Sequence, residues 1–387
     1  NLSKRALSLI NVYIPNREKQ KQTLYLASII NDEENKLFSI WDGLKKIRNS
    51  LWSGYSIDEI SKELDKYSLN FLTETKEKSE QSDEDWFETL PFPLASILRA
   101  WQCTATSDYK TKYEHLLKFF EALAAFLSII YISAYEKDTN YELYRKSLIN
   151  KMKKRPAISF RKASFGSWMF AYKHYSKFTR DLLGKGGDSN EDNRKRLQEI
   201  FQDNTLNLPE MISQKNLLYL LEKANNIRND KSTAHGPIPD ELKAKYINNE
   251  LRDMLKELRN IMGDIWDKAT LVKGKSAKKS KNVCTNEVEL LKGNHTPFVP
   301  ESRELALVLD TEYQYLIFED QPGALRLEPL MLIDSSPKSA KNACYFYSMM
   351  NKDGTAKLVS YHYQPESTIE GIEYSETIDV INSIINE

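Results

Sequence analysis

The sequence predicts a mainly helical, multidomain protein with a small antiparallel β-rich domain at its C-terminal end. Apolar residues recur at helical spacing through most of the first 268 positions, and short alternating runs separated by turn signals follow. With 387 residues, the chain is also too long for one ordinary core. We therefore expect an N-terminal helical segment with a polar linker (1–90), a helix bundle (91–268) and an antiparallel β-rich domain with a C-terminal helix (273–387).

The first segment is predicted to be helical up to about residue 72. Its clearest apolar stripe has helical spacing and consists of Leu37, Ile40, Trp41, Leu44 and Ile47. Thr73 to Asp85 contains no apolar residue, which is typical of a linker or an exposed loop.

The bundle is predicted to contain five or six helices. Tyr113 to Tyr135 is apolar nearly all round, which indicates a central buried helix. Its most apolar part, Ala122 to Tyr135, is shorter than the roughly 18 residues of a membrane span, so no membrane is expected. Other stripes of helical spacing lie at 94–101, 168–183, 217–227 and 240–265.

Short strand-like runs follow Trp266. They are 287–291, 305–309, 313–318, 325–333, 343–349 and 357–363. Asp353-Gly354 predicts a tight hairpin, Gln321-Pro-Gly another turn, and Glu376 the start of a short helix. The basic run Lys273 to Lys281 is interpreted as a solvated linker; binding of a phosphate backbone is the alternative.

The amino-acid composition limits the classes of function that the protein could have. There are 55 basic and 55 acidic residues, so any affinity for nucleic acid must come from a local basic surface. The cysteines Cys103, Cys284 and Cys344 are far apart, which predicts neither disulfides nor zinc and suits a reducing cytoplasm. No cluster of His, Asp or Glu has metal-ligand spacing, so neither metal nor cofactor is expected.

One short segment has the composition of a metal-free nuclease site. Arg228 and His235 are separated by six residues, between the end of one amphipathic helix and the start of the next. No other His in the chain has an Arg at such a distance upstream.

These residue types suit RNA cleavage by the ribose 2′-hydroxyl. A histidine can exchange a proton near neutral pH, and an arginine can stabilise negative charge that develops on the phosphate. Asn229 could orient either partner by hydrogen bonding.

The pattern Arg228-Asn229…Ala234-His235-Gly236 resembles the motif of HEPN domains, which are helical bundles of many prokaryotic RNA-cleaving defence and toxin proteins. The resemblance covers about residues 92–268. Many relatives place four residues between the Arg and the His, so the loop here is longer. The resemblance implies a metal-independent endoribonuclease with Arg228, Asn229 and His235 as catalytic residues.

The resemblance further implies a homodimer, because HEPN domains commonly pair two-fold and bring two motifs to one cleft. Some HEPN relatives are non-catalytic, so a dimerising scaffold that binds a partner protein or nucleic acid is the alternative. In that reading the C-terminal β domain docks a partner subunit. Lysines that could contact RNA are Lys231, Lys173, Lys177, Lys278 and Lys279.

Two aromatic segments have competing interpretations. Tyr172, His174 and Tyr175 could form a wall on which RNA bases stack, but half-buried packing in the bundle is favoured. Tyr109, Tyr113, Glu114 and His115 could include an acid–base group. They are interpreted instead as ordinary surface residues at the start of a helix.

Overall fold

The structure of the protein is a computed structural model that describes residues 83–105, 107–155, 157–184, 191–232, 241–280, 283–335, 342–362 and 367–385. The pattern of contacts between residues separates the chain into two compact units, with the boundary between Ser82 and Asp83. All described residues belong to the second unit. The predicted N-terminal helices and most of the polar linker therefore lie outside the described residues. Residues 83–85 of that linker are the first turn of helix α1.

In the part of the chain that the structure describes, ten α-helices precede the sheets. They are α1 (Asp83–Thr89), α2 (Phe92–Cys103), α3 (Tyr109–Glu136), α4 (Tyr141–Lys153), α5 (Phe165–Leu182), α6 (Glu191–Phe201), α7 (Asn207–Ile212), α8 (Lys215–Ser232), α9 (Glu241–Met262) and α10 (Ile265–Lys268). Helices α4, α6 and α7 were not predicted from the sequence. An eleventh helix, α11 (Ser375–Ile385), begins one residue before the predicted start at Glu376.

Helix α3 is the centre of the helical part. Every residue from Phe119 to Tyr135 is buried, because α2, α5, α8 and α9 all pack against it. The helix is long and apolar enough to cross a membrane, but 89% of its most apolar window is buried inside the protein. The prediction of a central buried helix is therefore confirmed.

Helix α5 packs on α3 through aromatic rings and hydroxyl groups. Tyr131 and Tyr175 stack with ring centroids 6.3 Å apart. The hydroxyl of Tyr135 lies 2.9 Å from that of Thr179, and the carbonyl of Trp168 accepts a hydrogen bond from Ser128 at 2.8 Å. These buried polar groups are satisfied within the core, so they do not weaken it.

Within the described residues, nine strands form two antiparallel sheets. Their bounds are β1 (Ala269–Ser280), β2 (Val283–Leu290), β3 (Val299–Leu305), β4 (Gln314–Phe318), β5 (Ala324–Arg326), β6 (Met331–Ser335), β7 (Asn342–Met350), β8 (Ala356–Ser360) and β9 (Ser367–Gly371). The strand orders are β3-β2-β1-β4-β5 and β6-β7-β8-β9. A mainly helical chain with an antiparallel β region at its C-terminal end, as predicted, is thus confirmed.

The two predicted turns join the expected strands. Asp353-Gly354 lies between β7 and β8, where Gly354 adopts a φ of +86° that favours glycine. Gln321-Pro-Gly connects β4 to β5. The predicted strand at 325–333 is instead divided between β5 and β6, which belong to different sheets, and the predicted strand at 305–309 lies almost wholly after the end of β3.

The interpretation of Lys273 to Lys281 as a linker is wrong. Its residues up to Ser280 belong to β1, which pairs with β2 from Val272 to Ser280. Hydrogen bonds to the backbone of β2 hold this strand in place, although few of its side chains are large and apolar. The pattern of apolar residues therefore did not indicate a strand. The strand passes close to Leu309 at Gly274, where a Cβ atom would lie 3.0 Å from Cβ of Leu309 and would force that neighbour to shift.

The helices share their main hydrophobic core with both sheets, and a second, smaller cluster of buried residues lies within the first sheet. A continuous cluster of buried residues extends from α1 through the helices to β6, β7, β8 and α11. The backbone N–H of Glu328 donates to the hydroxyl of Ser133 on α3 at 2.8 Å, and the hydroxyl of Tyr347 on β7 donates to the carbonyl of Phe160 at 2.7 Å. The β region therefore completes the interior of the helical part.

Candidate active site at the end of helix α8

Arg228 lies in the last turns of α8. Leu217, Leu220, Leu221, Ala224 and Ile227 of the same helix are buried in the core, and this fixes the direction in which the next residue leaves the helix. Residues 233–240, which include His235, connect α8 to α9 and lie outside the described residues. The two helices predicted to flank the motif are thus present, and the geometry between Arg228 and His235 stays a prediction.

The guanidinium of Arg228 pairs with a carboxylate from the centre of the fold. Its Nη2 atom lies 3.5 Å from Oε2 of Glu121 on α3. The Glu121 side chain is 10% exposed, whereas that of Arg228 is 34% exposed. The ion pair therefore holds one end of the guanidinium inside the protein and leaves part of it accessible to a ligand.

Glu121 is a site residue that the motif did not indicate. It is the one charged residue in the buried run from Phe119 to Tyr135. A carboxylate in an apolar environment needs a cationic or hydrogen-bonding partner, because an isolated buried charge is very costly. A lone glutamate in an otherwise apolar central helix was therefore a signal that some basic residue must reach it.

The other predicted residues are distributed over several elements. Asn229 is exposed on α8, next to Arg228. The side chain of Lys231 lies outside the described part of the structure. Lys173 and Lys177 are exposed on α5, and Nζ of Lys173 pairs with Oε1 of Glu222 on α8 at 2.6 Å.

Lys278 and Lys279 are exposed on β1, not on the helical part. They lie opposite Thr285 and Cys284 of β2, at the end of the hairpin that the two strands form. This places them on a different element from the lysines of α5.

The aromatic residues of α5 are packed in the core, as favoured. Tyr172 and Tyr175 are buried, so their rings are not accessible to a base. His174 is buried as well: Nε2 lies 3.0 Å from the carbonyl of Tyr144 and Nδ1 lies 3.3 Å from Nζ of Lys151. Burial lowers the pKa of His174 to about 4, which keeps the ring neutral.

The interpretation of His115 as a surface residue is wrong. His115 and Tyr113 are both buried, because α3 enters the core within its second turn. Burial lowers the pKa of His115 to about 4. In the parts of the chain that the structure describes, no three His, Cys, Asp or Glu side chains are grouped so that they could hold a metal ion.

Comparisons with protein-family models, with curated proteins and with solved structures find no significant match to this chain.

The Arg228–Glu121 pair makes a testable contribution to stability. Arg228→Ala removes the cation that pairs with a nearly buried carboxylate, and we expect a loss of about 2 kcal/mol in the free energy of unfolding. The double variant Arg228→Ala/Glu121→Gln should recover at least half of that loss, because the charge has been removed with its partner. Urea denaturation of the four proteins of the cycle measures both values.

Lys173→Ala is the matched control. It removes a more exposed ion pair, with Glu222, and should cost less than about 1 kcal/mol. Equal losses for Arg228→Ala and Lys173→Ala, or no recovery in the double variant, would contradict a dependence of Glu121 on Arg228.

Proposed function

We propose that this protein is a HEPN-type, metal-independent endoribonuclease in which Arg228 and His235 act on one phosphate of an RNA chain. The supporting observation is that Arg228 is both anchored by an ion pair and partly exposed to solvent. Its guanidinium is held at one end by Glu121, remains one-third exposed, and stands four residues before the end of α8. An anchored, partly accessible cation can stabilise the negative charge of a phosphorane, and His235 follows it by only seven positions in the sequence.

The proposed reaction is an intramolecular transesterification at phosphorus. The 2′-oxygen attacks the adjacent phosphorus and forms a new O–P bond, and the bond from phosphorus to the 5′-oxygen breaks. His235 exchanges a proton with the attacking or the leaving oxygen, while Arg228 faces the charge on the non-bridging oxygens. The products are a 2′,3′-cyclic phosphate and a 5′-hydroxyl, and no metal takes part.

Two copies of the chain would complete the site. One histidine does not easily serve as base and as acid on opposite sides of a phosphate, and the chain contains a single Arg-Asn…His motif. We therefore propose a homodimer with a composite cleft, acting in the cytoplasm as part of a defence or toxin system.

Incubation of the purified full chain with RNA in EDTA tests this function. We expect fragments that end in 2′,3′-cyclic phosphates, together with a specific activity that falls when the protein is diluted below its dimerisation constant. Mapping the fragment ends by adaptor ligation, with and without prior removal of cyclic phosphates, measures the first result. Intact RNA at all protein concentrations, or cleavage that requires a divalent cation, would overturn the proposal.

A non-catalytic scaffold is the second candidate, and the ion pair with Glu121 favours it. An arginine that neutralises a buried carboxylate has a sufficient structural reason to be there. Arg228→Lys separates the two roles. Lysine keeps the positive charge beside Glu121 but loses the planar fork of donors. A structural role therefore predicts unchanged stability and unchanged nucleic-acid binding. A catalytic role predicts that the protein stays stable but no longer cleaves RNA.

A further inference from the structure

A basic pocket lies on a different face of the helical part. It has a volume of about 680 Å³ and lies between the end of α2, the start of α3 and the first half of α9. Its lining residues are Arg99, Trp101, Cys103, Tyr109, Lys112, Lys245 and Arg252, with the amides of Gln102, Asn248 and Asn249. A cavity of this size holds a ligand as large as a nucleotide.

The charged side chains that line the basic pocket in the described part of the chain are all positive. Arg99, Lys112, Lys245 and Arg252 supply four cations. Among the residues that the structure describes, no carboxylate lines the pocket and no ion pair reaches any of the four. Burial and the charge of Arg252 lower the pKa of Lys112, which shows that the cations act on one another. Such a concentration of positive charge attracts an anion with more than one phosphate.

Aromatic rings lie between the cations. The ring of Trp101 has Lys112 at 5.2 Å and Arg252 at 6.0 Å from its centroid, and Lys245 lies 5.7 Å from the ring of Tyr109. The indole N–H of Trp101 donates to Oδ1 of Asn248 at 3.4 Å, which fixes the ring. Cations alternating with rings are typical of surfaces that hold the phosphates and the bases of a single strand.

The basic surface continues along α9. Lys245, Asn248, Asn249 and Arg252 have the i, i+3, i+4, i+7 spacing of one helix face. Beyond Arg252 a second, smaller depression includes Arg259, which lies 6.0 Å from the ring of Trp86. From Lys245 to Arg259 the helix rises by about 21 Å, which is longer than one nucleotide.

The basic pocket is separate from the candidate active site. Lys112 faces the pocket and Glu121 faces Arg228, and nine residues separate them on α3. Nine residues correspond to about two and a half helical turns, so the two side chains point to roughly opposite sides of the helix.

We propose that the basic pocket binds a single strand of nucleic acid, with its phosphates on Arg99, Lys112, Lys245 and Arg252 and a base beside the partly exposed ring of Tyr109. The buried ring of Trp101 supports Lys112 and Arg252 from below. The continuation of basic residues along α9 as far as Arg259 favours a strand over a free nucleotide. Binding here does not depend on the cleavage proposed above, because Arg228 does not line the pocket and the probe used below cannot be cleaved.

A binding titration with an uncleavable strand tests the proposal. The probe is a fluorescent 12-nucleotide 2′-O-methyl RNA in EDTA, which offers no 2′-hydroxyl for the proposed cleavage. We expect the double variant Lys245→Glu/Arg252→Glu to bind at least ten times more weakly than the unaltered chain, with a shallower dependence on salt. Both residues are exposed, so the variant should fold, which circular dichroism verifies.

Lys195→Glu is the matched control, because Lys195 is exposed on α6 and does not line the pocket. It should bind within twofold of the unaltered chain. Equal binding by the double variant and the unaltered chain would overturn the proposal, and so would an equal loss in Lys195→Glu, which would indicate a diffuse electrostatic effect.

Cys103 provides a second readout at the pocket itself. It lines the pocket and is exposed, whereas Cys284 and Cys344 are buried, so a thiol reagent reacts first with Cys103 in the native protein. The bound strand should slow this reaction at least fivefold, and the double variant should lose the protection. Protection by ATP, pyrophosphate or polyglutamate equal to that by the strand would overturn the assignment to a nucleic-acid strand. A failed binding test would leave the cleavage assay unaffected, so the two proposals fail separately.

Discussion

Replacing His235 with alanine should abolish RNA cleavage. A general acid–base group typically contributes a factor of about 100 to 10,000 to the rate, and the motif contains no second group that titrates near neutral pH. We therefore expect the initial rate of His235→Ala on a fluorogenic RNA, measured in EDTA, to fall by at least about a hundredfold. Thermal unfolding should be nearly unchanged if the residue acts only on the substrate.

His295→Ala is the matched control for this prediction. His295 is a surface histidine that is 80% exposed and pairs with Glu88 at 3.4 Å. Its replacement should leave the rate unchanged. Equal rates for His235→Ala and the unaltered chain, with cyclic-phosphate ends still formed, would exclude His235 as the proton-transfer group. Arg228→Lys extends the test, because losing the guanidinium fork should also lower the rate by about a hundredfold.

The second large effect is a loss of stability in mild acid. Burial lowers the pKa values of His115, His174 and His362 to about 4. The unfolded chain binds protons at these histidines with the ordinary pKa of about 6.5. The folded state therefore resists protonation, and its free energy of unfolding is highest above pH 6.5 and falls as the pH decreases towards 4.

The expected loss is roughly 1–2 kcal/mol for each histidine between pH 7 and pH 5. Urea denaturation at pH 7, 6 and 5 measures it, in a range where ordinary carboxyl groups remain ionised. Glu328 acts in the opposite direction, because burial raises the pKa of its carboxyl group. The variant His174→Gln should lose about a third of the slope. A free energy that is flat from pH 7 to pH 5 would contradict the prediction.

The sequence predicted much of the helical part because periodicity reports burial directly. The stripe of α2 and the apolar face of α9 are buried where the pattern indicated. Helix α6 was missed because Leu197, Ile200 and Phe201 are its only buried residues, which is too few for a stripe. Strand β1 was missed because a strand held by backbone pairing can carry lysines on most of its length.

The catalytic role of Arg228 stays a prediction, whereas the two helices predicted around the motif are present. The motif is local, so the sequence could indicate both. It could not identify Glu121, which is 107 positions away and reaches Arg228 only through the packing of α3 against α8. The basic pocket was missed for the same reason. Its cations come from three helices, and the zero net charge of the chain conceals them.

The interior that the helices share with the sheets restricts how this part of the chain can evolve. A ribonuclease or scaffold bundle with its own closed core could be exchanged between proteins by recombination at the end of α9. Here such an exchange would expose the apolar surface that β6, β7 and β8 cover, and it would remove the N–H that Ser133 accepts from Glu328. The helices and the sheets of this unit must therefore be inherited or transplanted together, and new partners must be acquired at its surface.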